Sequence, residues 1–139
     1  MLIKKTFSKE EIIRCTSDNG WDFGNSIIYE MCRKNPYHVD ADIIVGKIWI
    51  IGRAYAAAIE RRKNVESDNM GDDFYFNIVA PKIIEIGREL DERIACLKSH
   101  PNITYNNLIE IVETHKFLTD VFSDISGLSK RSLASKYLH

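Results

Sequence analysis

Cysteine is scarce in this chain, and the spacing of the few cysteines excludes the usual cysteine-based sites. The three cysteines, Cys15, Cys32 and Cys96, are odd in number, and no two of them form a Cys-x-x-Cys pair. Neither a disulfide framework nor a zinc ribbon is therefore indicated. We expect the protein to reside in a reducing cytoplasm, where free thiols are the rule.

Long apolar runs are missing as well. The N-terminal residues Met1-Leu2-Ile3-Lys4-Lys5 lack the apolar stretch of a signal peptide. The longest apolar segment is interrupted by Asp42, Lys47 and Arg53 well short of a membrane span. We therefore expect no membrane partner.

The motifs that mark common enzymes and cofactor sites are also absent from the sequence. It contains no P-loop, no Gly-x-Gly-x-x-Gly, no Gly-x-Ser-x-Gly and no reactive-cysteine signature. The four histidines have no i, i+4 partner and no Glu at zincin spacing, so a metal site would have to be assembled wholly by the fold. His115 is expected to be a hydrogen-bonded histidine at the edge of the core. We predict no catalytic residue, no metal and no cofactor, and nothing in the chain demands an enzyme.

The net charge of −1 argues against a protein that coats nucleic acid indiscriminately. The charge is nevertheless unevenly distributed along the chain. Residues 66–98 hold eight acidic side chains against four basic ones, whereas residues 125–139 hold three basic side chains and no acid. The C-terminal segment is therefore the part that could face an anion.

What the sequence does contain is helical periodicity over most of its length. A chain of 139 residues with 45% hydrophobic and 28% charged residues fits one globular domain, residues 1–139. Capping patterns at Ser8, Asp40 and Thr104 mark helix starts. We predict an all-α fold, a compact array of five to seven helices around a central apolar helix at about 41–63.

Apolar spacing and proline place the other helices. The first is predicted from Ser8 to about 15, and the second ends at Asn35-Pro36. Pro81 is predicted to divide a short helix at about 73–79 from a longer one at about 81–98. The next is predicted at about 105–123. The apolar seams are Phe23, Ile27, Ile28, Met31 and Cys32 in the second helix and Leu108, Ile111, Val112, Leu118 and Phe122 in the helix at 105–123.

One stripe of the predicted central helix carries a candidate anion site. At about 100° per residue, Trp49, Arg53 and Glu60 share this stripe. A guanidinium suits carboxylate or phosphate and an indole offers a stacking surface, so the three residues are candidates for ligand or anion binding. The alternative is structural, with Arg53 paired to an acid on a neighbouring helix and Trp49 in the core. We favour the structural interpretation, because an Arg on an apolar helix has to be paired.

The C-terminal segment carries a second candidate site. Ile125-Ser126-Gly127-Leu128-Ser129, followed by Leu133, Ala134 and Leu138, resembles the hairpin of helix-hairpin-helix DNA-binding modules, in which a Gly-rich turn and the next helix N-terminus hold a phosphate. Residues 131–139 are also similar to a stretch in uncharacterised bacterial proteins of the mobile-element and gene-cassette kind. The nucleic-acid-binding candidates that the resemblance implies are Gly127, Ser129, Lys130, Arg131 and Lys136.

These observations lead to two hypotheses of function. The favoured one is a non-catalytic binding or interaction protein, an accessory protein that binds a protein partner or associates with itself. The alternative is a DNA-contacting domain, part of a base-excision-type enzyme, because Lys130 or Arg131 lies close to the catalytic-lysine position of glycosylases in the helix-hairpin-helix superfamily. The aspartate of those glycosylases would fall beyond His139. A reading frame that continues past His139 into an Asp-bearing segment would favour this alternative.

Overall fold

The computed structural model describes residues 8–11, 13, 20–61 and 72–139, and these residues form helices and connections with no strand. The predicted all-α fold is confirmed. The helices are α1 (Gly20–Lys34), α2 (Ala41–Ala54), α3 (Asp72–Phe74), α4 (Ala80–Glu85), α5 (Gly87–Lys98), α6 (Leu108–Ser126) and α7 (Arg131–Leu138), with a π-helical turn at Tyr75–Val79 between α3 and α4. Over the described ranges, no helix has the length and apolarity needed to cross a membrane.

Local capping chemistry sets the first helix boundaries as predicted. Ser8 and Glu11 form a reciprocal capping box, with the Ser8 N–H donating to Glu11 Oε2 (2.8 Å) and the Glu11 N–H donating to Ser8 Oγ (3.1 Å). Asp40 Oδ1 accepts from the N–H groups of the second and third residues of α2 (2.9 and 3.2 Å). Helix α1 ends at Lys34, directly before Asn35-Pro36. Residues 12, 14 and 15 of the first predicted helix lie outside the described residues.

The central helix is shorter than predicted, because α2 ends at Ala54 rather than near 63. Ala56 adopts a left-handed conformation (φ 54°). The Ala57 N–H donates to the Gly52 carbonyl (3.1 Å), as in the Schellman motif of a helix C-terminus. The chain then folds back so closely that a Cβ on Gly52 would lie 3.0 Å from Ala58 Cα. An alanine run predicts a continuing helix, but this reversal buries Ile59 completely, and tertiary packing overrides the local propensity.

Pro81 does not divide the chain as predicted. Helix α3, the π-helical turn and α4 follow one another directly, with Pro81 in the first turn of α4. In the π-helical turn the Ala80 N–H bonds to the Tyr75 carbonyl, five residues earlier. We attribute the continuity to this wider turn, which eases the clash that a proline ring makes with the preceding turn of an α-helix.

The break between helices falls instead at Ile86 (φ −96°, ψ 1°), at the junction of α4 and α5. The residue after this break is Gly87, and the close approach of His38 explains why position 87 has to be glycine. A Cβ on Gly87 would lie 2.5 Å from the backbone oxygen of His38, closer than a real Cβ contact. Glycine therefore lets the connection between α1 and α2 pack directly on α5.

Helix α6 begins at Leu108 rather than at 105, so the predicted cap at Thr104 is wrong. The Asn107 side chain turns back instead, accepting from the Thr104 N–H (2.7 Å) and donating to the Asn102 carbonyl (2.9 Å). It therefore stabilises the preceding loop rather than the helix start. At the other end Gly127 (φ 75°) is a left-handed C-cap, as expected for the turn into α7.

The core centres on α2, which packs against α1, the π-helical turn, α4 and α7. Ile44, Ile48 and Ile51 form its buried side. The predicted seams of α1 and α6 are buried over only part of their length. In α1 Phe23 is 73% exposed although Ile28 is buried, and in α6 Val112 is 54% exposed whereas Leu118 and Phe122 are fully buried.

Candidate ligand pocket

A cavity of about 480 Å³, called here the central pocket, lies among α1, the connection to α2, α2 itself, α5 and α7. Its volume is within the usual range of small-molecule sites. Side chains from all five segments line it. Its apolar walls are formed by Ile28, Tyr29, Pro36, Ile51, Ile94 and Leu138.

His38 forms one buried wall of the central pocket and is only 3% exposed. Its Nδ1 lies 2.5 Å from one Asp91 carboxylate oxygen, and its backbone N–H donates to the other (3.2 Å). Since a carboxylate can only accept, Nδ1 carries the proton. Burial lowers the pKa of His38 more than Asp91 raises it, so the ring is neutral near pH 7. Nε2 is then a buried acceptor without a partner in the described part of the chain.

Tyr137 of α7 supplies a second polar atom of the same kind. Its ring packs against His38 (centroids 5.6 Å apart) and edge-on against Phe122 (5.8 Å). Its hydroxyl is buried and has no partner among the described residues. Burial raises the pKa of Tyr137, so the phenol keeps its proton and can donate. Buried polar atoms without partners are uncommon and call for an explanation.

Lys47 of α2 brings a buried cation to the central pocket. It is 3% exposed, and its Nζ donates to the Asn35 backbone oxygen (2.6 Å). Burial lowers the pKa of Lys47, because desolvation disfavours the charged ammonium. Lys98 and Lys136 line the same cavity, whereas no acidic side chain is found among its described lining residues. The central pocket is therefore electropositive and apolar at once.

The structure brings the three predicted anion-site residues, Trp49, Arg53 and Glu60, together at the surface. Arg53 Nη2 lies 3.2 Å from Glu60 Oε1, and its guanidinium carbon is 5.6 Å from the centre of the Trp49 ring. The other Glu60 oxygen accepts from the Tyr75 hydroxyl. Glu60 reaches Arg53 through the chain reversal after α2, not along the long helix that was predicted. Trp49 is 47% exposed rather than in the core.

The C-terminal turn uses its own groups to satisfy part of its backbone. Ser126 Oγ accepts from the Leu128 N–H (3.2 Å) and donates to the Leu128 carbonyl (2.8 Å). Gly127 donates to the Ser123 carbonyl (2.7 Å), and Ser129 is exposed. The Leu128 N–H, which is of the kind that holds a phosphate in a hairpin, is thus already bonded to Ser126.

The three cations of this segment have different surroundings. Lys130 Nζ donates to the Arg61 backbone oxygen (2.5 Å). Lys136 Nζ donates to Ser132 Oγ (2.8 Å), and Lys136 lines the central pocket. Arg131 is exposed at the start of α7.

His115 of α6 is a hydrogen-bonded histidine at the edge of the core, as predicted. Its Nε2 lies 3.2 Å from the Arg131 backbone oxygen and 2.9 Å from Ser135 Oγ. Because a carbonyl oxygen only accepts, Nε2 carries the proton and joins α6 to α7.

A second polar cluster lies outside the central pocket, where α5 ends and α6 begins. Cys96, His100 and Glu110 each offer one metal-ligating atom, and these three atoms lie within 4.8 Å of one another. The Cys96 thiol donates to Glu110 (3.4 Å), and this hydrogen bond raises the pKa of the thiol. The expectation that no histidine has an i, i+4 partner is wrong for His100, since Cys96 lies four residues before it.

Apart from Lys136, which was predicted as a nucleic-acid-binding candidate, the site residues of the central pocket were not found by motif reasoning. His38 and Asp91 are 53 positions apart in sequence, and no spacing rule joins them. Lys47 was used only as an interruption of the apolar segment, although a lysine in such a segment is a signal that could have indicated this site. No protein family model, no curated protein and no solved structure matches this chain.

Proposed function

We propose that the protein binds a small organic anion with an apolar body in the central pocket. The single observation that carries this proposal is a cavity with apolar walls, three lysines and no acidic group among its described lining residues. Such a cavity matches a ligand with a hydrocarbon or aromatic body and a carboxylate head. The proposal adds a class of ligand to the hypothesis, favoured from the sequence, that the protein is a non-catalytic binding protein.

The buried Lys47 explains why the ligand head is expected to be anionic. Removing an ammonium from water costs several kcal/mol unless an opposite charge or several hydrogen bonds compensate. The Asn35 carbonyl accepts one of its three donors. A carboxylate beside Lys47 would compensate the charge and stabilise the protonated amine.

His38 and Tyr137 suit the same head group. An anion in the central pocket would favour the protonated His38 ring, which then donates from both nitrogens, one of them to Asp91. The Tyr137 hydroxyl would donate to the same anion. Both buried polar atoms would thereby gain the partners that they lack among the described residues.

Three ten-carbon amphiphiles test the charge and the apolar body separately. Decanoate, decanol and decylamine share one chain length and differ in head group. Isothermal titration calorimetry measures each affinity below the critical micelle concentration of the two ionic compounds and below the solubility limit of decanol. We expect one saturable decanoate site per chain, weaker binding of decanol and no binding of decylamine. Equal affinities for decanoate and decylamine, or no decanoate binding at about 1 mM, would refute the proposal.

Two variants and one control locate the binding. Lys47→Met should weaken decanoate binding by about 10- to 100-fold, the value of a hydrogen bond to a charged group. Tyr137→Phe should weaken it by a few fold. Lys116→Met removes an exposed lysine that pairs with Asp120, outside the central pocket, and should leave the affinity unchanged. Far-ultraviolet circular dichroism confirms that each variant is folded.

The DNA-contacting alternative and a protein partner stay predictions. Fluorescence anisotropy with short duplexes at low salt tests the first, since phosphate contacts make binding fall steeply as salt rises. Sedimentation velocity tests self-association. Solvent-exposed apolar side chains such as Ile103 and Tyr105 leave surface that a partner could cover.

A further inference from the structure

The cluster of Cys96, His100 and Glu110 has the geometry of a partly assembled metal site. His100 Nε2 lies 3.0 Å and Cys96 Sγ 3.4 Å from the same Glu110 oxygen. Bonds of 2.0–2.3 Å to a tetrahedral zinc place its ligand atoms roughly 3.3–3.8 Å apart. The three atoms therefore need shifts of a few tenths of an ångström to about one ångström, which side-chain torsions of exposed residues supply.

The backbone around the cluster holds these ligands in place. Cys96 lies in the last turn of α5, and the His100 N–H bonds to the Leu97 carbonyl (3.2 Å), so both side chains project from one face. Glu110 lies in the first turn of α6, which packs against α5. The loop that joins the two helices is fixed by the two hydrogen bonds of the buried Asn107 side chain. The three ligands are thus carried by packed helices and a tied loop.

The donor set selects the metal. A thiolate, an imidazole and a carboxylate together suit zinc, whereas magnesium and calcium require oxygen ligands. Three protein ligands leave one tetrahedral position open, and the cluster is solvent-accessible, with Cys96 and His100 exposed. We infer that Cys96, His100 and Glu110 bind one zinc ion whose fourth ligand is water. This site is separate from the central pocket, to which none of the three residues contributes.

Cobalt(II) is the probe, because it occupies zinc sites and is coloured when a thiolate binds it. The purified full chain is titrated with Co²⁺ in the presence of a reductant that does not bind metals. We expect saturation at one ion per chain, a thiolate-to-cobalt charge-transfer band and the visible bands of a tetrahedral site. Addition of one equivalent of Zn²⁺ should abolish all of these bands, and excess Mg²⁺ should leave them unchanged.

Variants separate this site from other thiols and histidines. Cys96→Ser should remove the charge-transfer band, and Glu110→Gln and His100→Asn should each weaken binding by about tenfold or more. Cys32→Ser is the matched control, because Cys32 is also a free, exposed cysteine, and it should retain the band. Sedimentation velocity in the presence of Zn²⁺ should show no metal-dependent increase in mass.

Several results would overturn the inference. A charge-transfer band that persists in Cys96→Ser, or that disappears in Cys32→Ser, would assign the metal to other residues. Saturation at half an ion per chain together with a doubled mass would show that two chains share the ion. The absence of saturable Co²⁺ and Zn²⁺ binding at about 1 mM would exclude the site altogether.

Discussion

The two sides of α2 each carry one cation, and these cations are in opposite situations. Lys47 faces the central pocket and is 3% exposed, whereas the Arg53 side chain is 59% exposed. Arg53 is bonded to Glu60 and lies over the Trp49 ring, while Lys47 reaches one backbone carbonyl. Among the described residues, the exposed cation is therefore paired with an anion, whereas the buried one has no carboxylate in hydrogen-bonding range and interacts with Asp91 only at longer range.

This difference shows which polar groups in the fold are explained by structure alone. The Arg53 pair is complete, because Glu60 also accepts from Tyr75 and no charge is left unbalanced. The central pocket is incomplete among the described residues. No carboxylate lies in hydrogen-bonding range of Lys47, and one polar atom each of His38 and Tyr137 has no partner there. A ligand bound in such a cavity can supply the missing hydrogen-bond partners and the missing opposite charge.

The largest expected effect compares adjacent positions on the two sides. Ile48 is fully buried, so Ile48→Ala should reduce the free energy of unfolding by about 2–5 kcal/mol. Trp49 is larger but 47% exposed, and Trp49→Ala should cost about 1 kcal/mol. Urea denaturation at constant pH measures both. If Trp49→Ala proved the more costly change, the assignment of the buried and exposed sides of α2 would be wrong.

The next effect concerns the partner of His38. Asp91→Ala removes acceptors from both the ring and the backbone N–H of a buried residue, which should cost about 1–3 kcal/mol. Asp120→Ala is the control, because Asp120 is exposed and pairs with an exposed lysine, and its effect should stay within about 0.5 kcal/mol. Equal effects of the two changes would mean that the His38–Asp91 pair is no stronger than a surface pair.

Three of the local features predicted from the sequence are found in the structure. Ser8, Asp40 and Gly127 act through groups two to four residues away, and their positions in the fold were foreseen. Prediction from the sequence failed at Thr104, where the nearby Asn107 side chain stabilises the preceding loop, and where distant packing outweighed local preference. The alanine run after α2 reverses because Ile59 is buried in the core, and Pro81 is accommodated by a preceding π-helical turn.

The candidate sites follow the same division. Trp49, Arg53 and Glu60 lie within twelve positions of one another and were found as a stripe, although the helix expected to join them ends early. His38 and Asp91 meet only because Gly87 lets the connection before α2 approach α5. No periodicity in the sequence encodes that approach. The central pocket therefore could be found only from the three-dimensional structure.

The pH dependence of stability tests the neutral state of His38. Burial lowers its pKa in the folded state, so between that pKa and about 6.5 the unfolded chain binds more protons. The contribution of His38 is present above pH 6.5 and is lost as the pH falls below it. We expect the free energy of unfolding to fall between pH 7 and 5 by an amount that is absent in His38→Gln, measured by urea denaturation at each pH. A gain in stability on acidification that His38→Gln abolishes would show a charged His38–Asp91 pair instead.

The smallest expected effect is on the exposed side of α2. Arg53→Met removes an exposed ion pair and a cation–π contact, so the free energy of unfolding should fall by only about 0.5 kcal/mol. Because Glu60 keeps its bond from Tyr75, no buried group loses its partner. Decanoate affinity should be unchanged in Arg53→Met and reduced in Lys47→Met, in one titration series under identical conditions. The reverse pattern would move the anion site from the central pocket to Arg53, since each variant removes one cation from the same helix and only the surroundings of that cation differ.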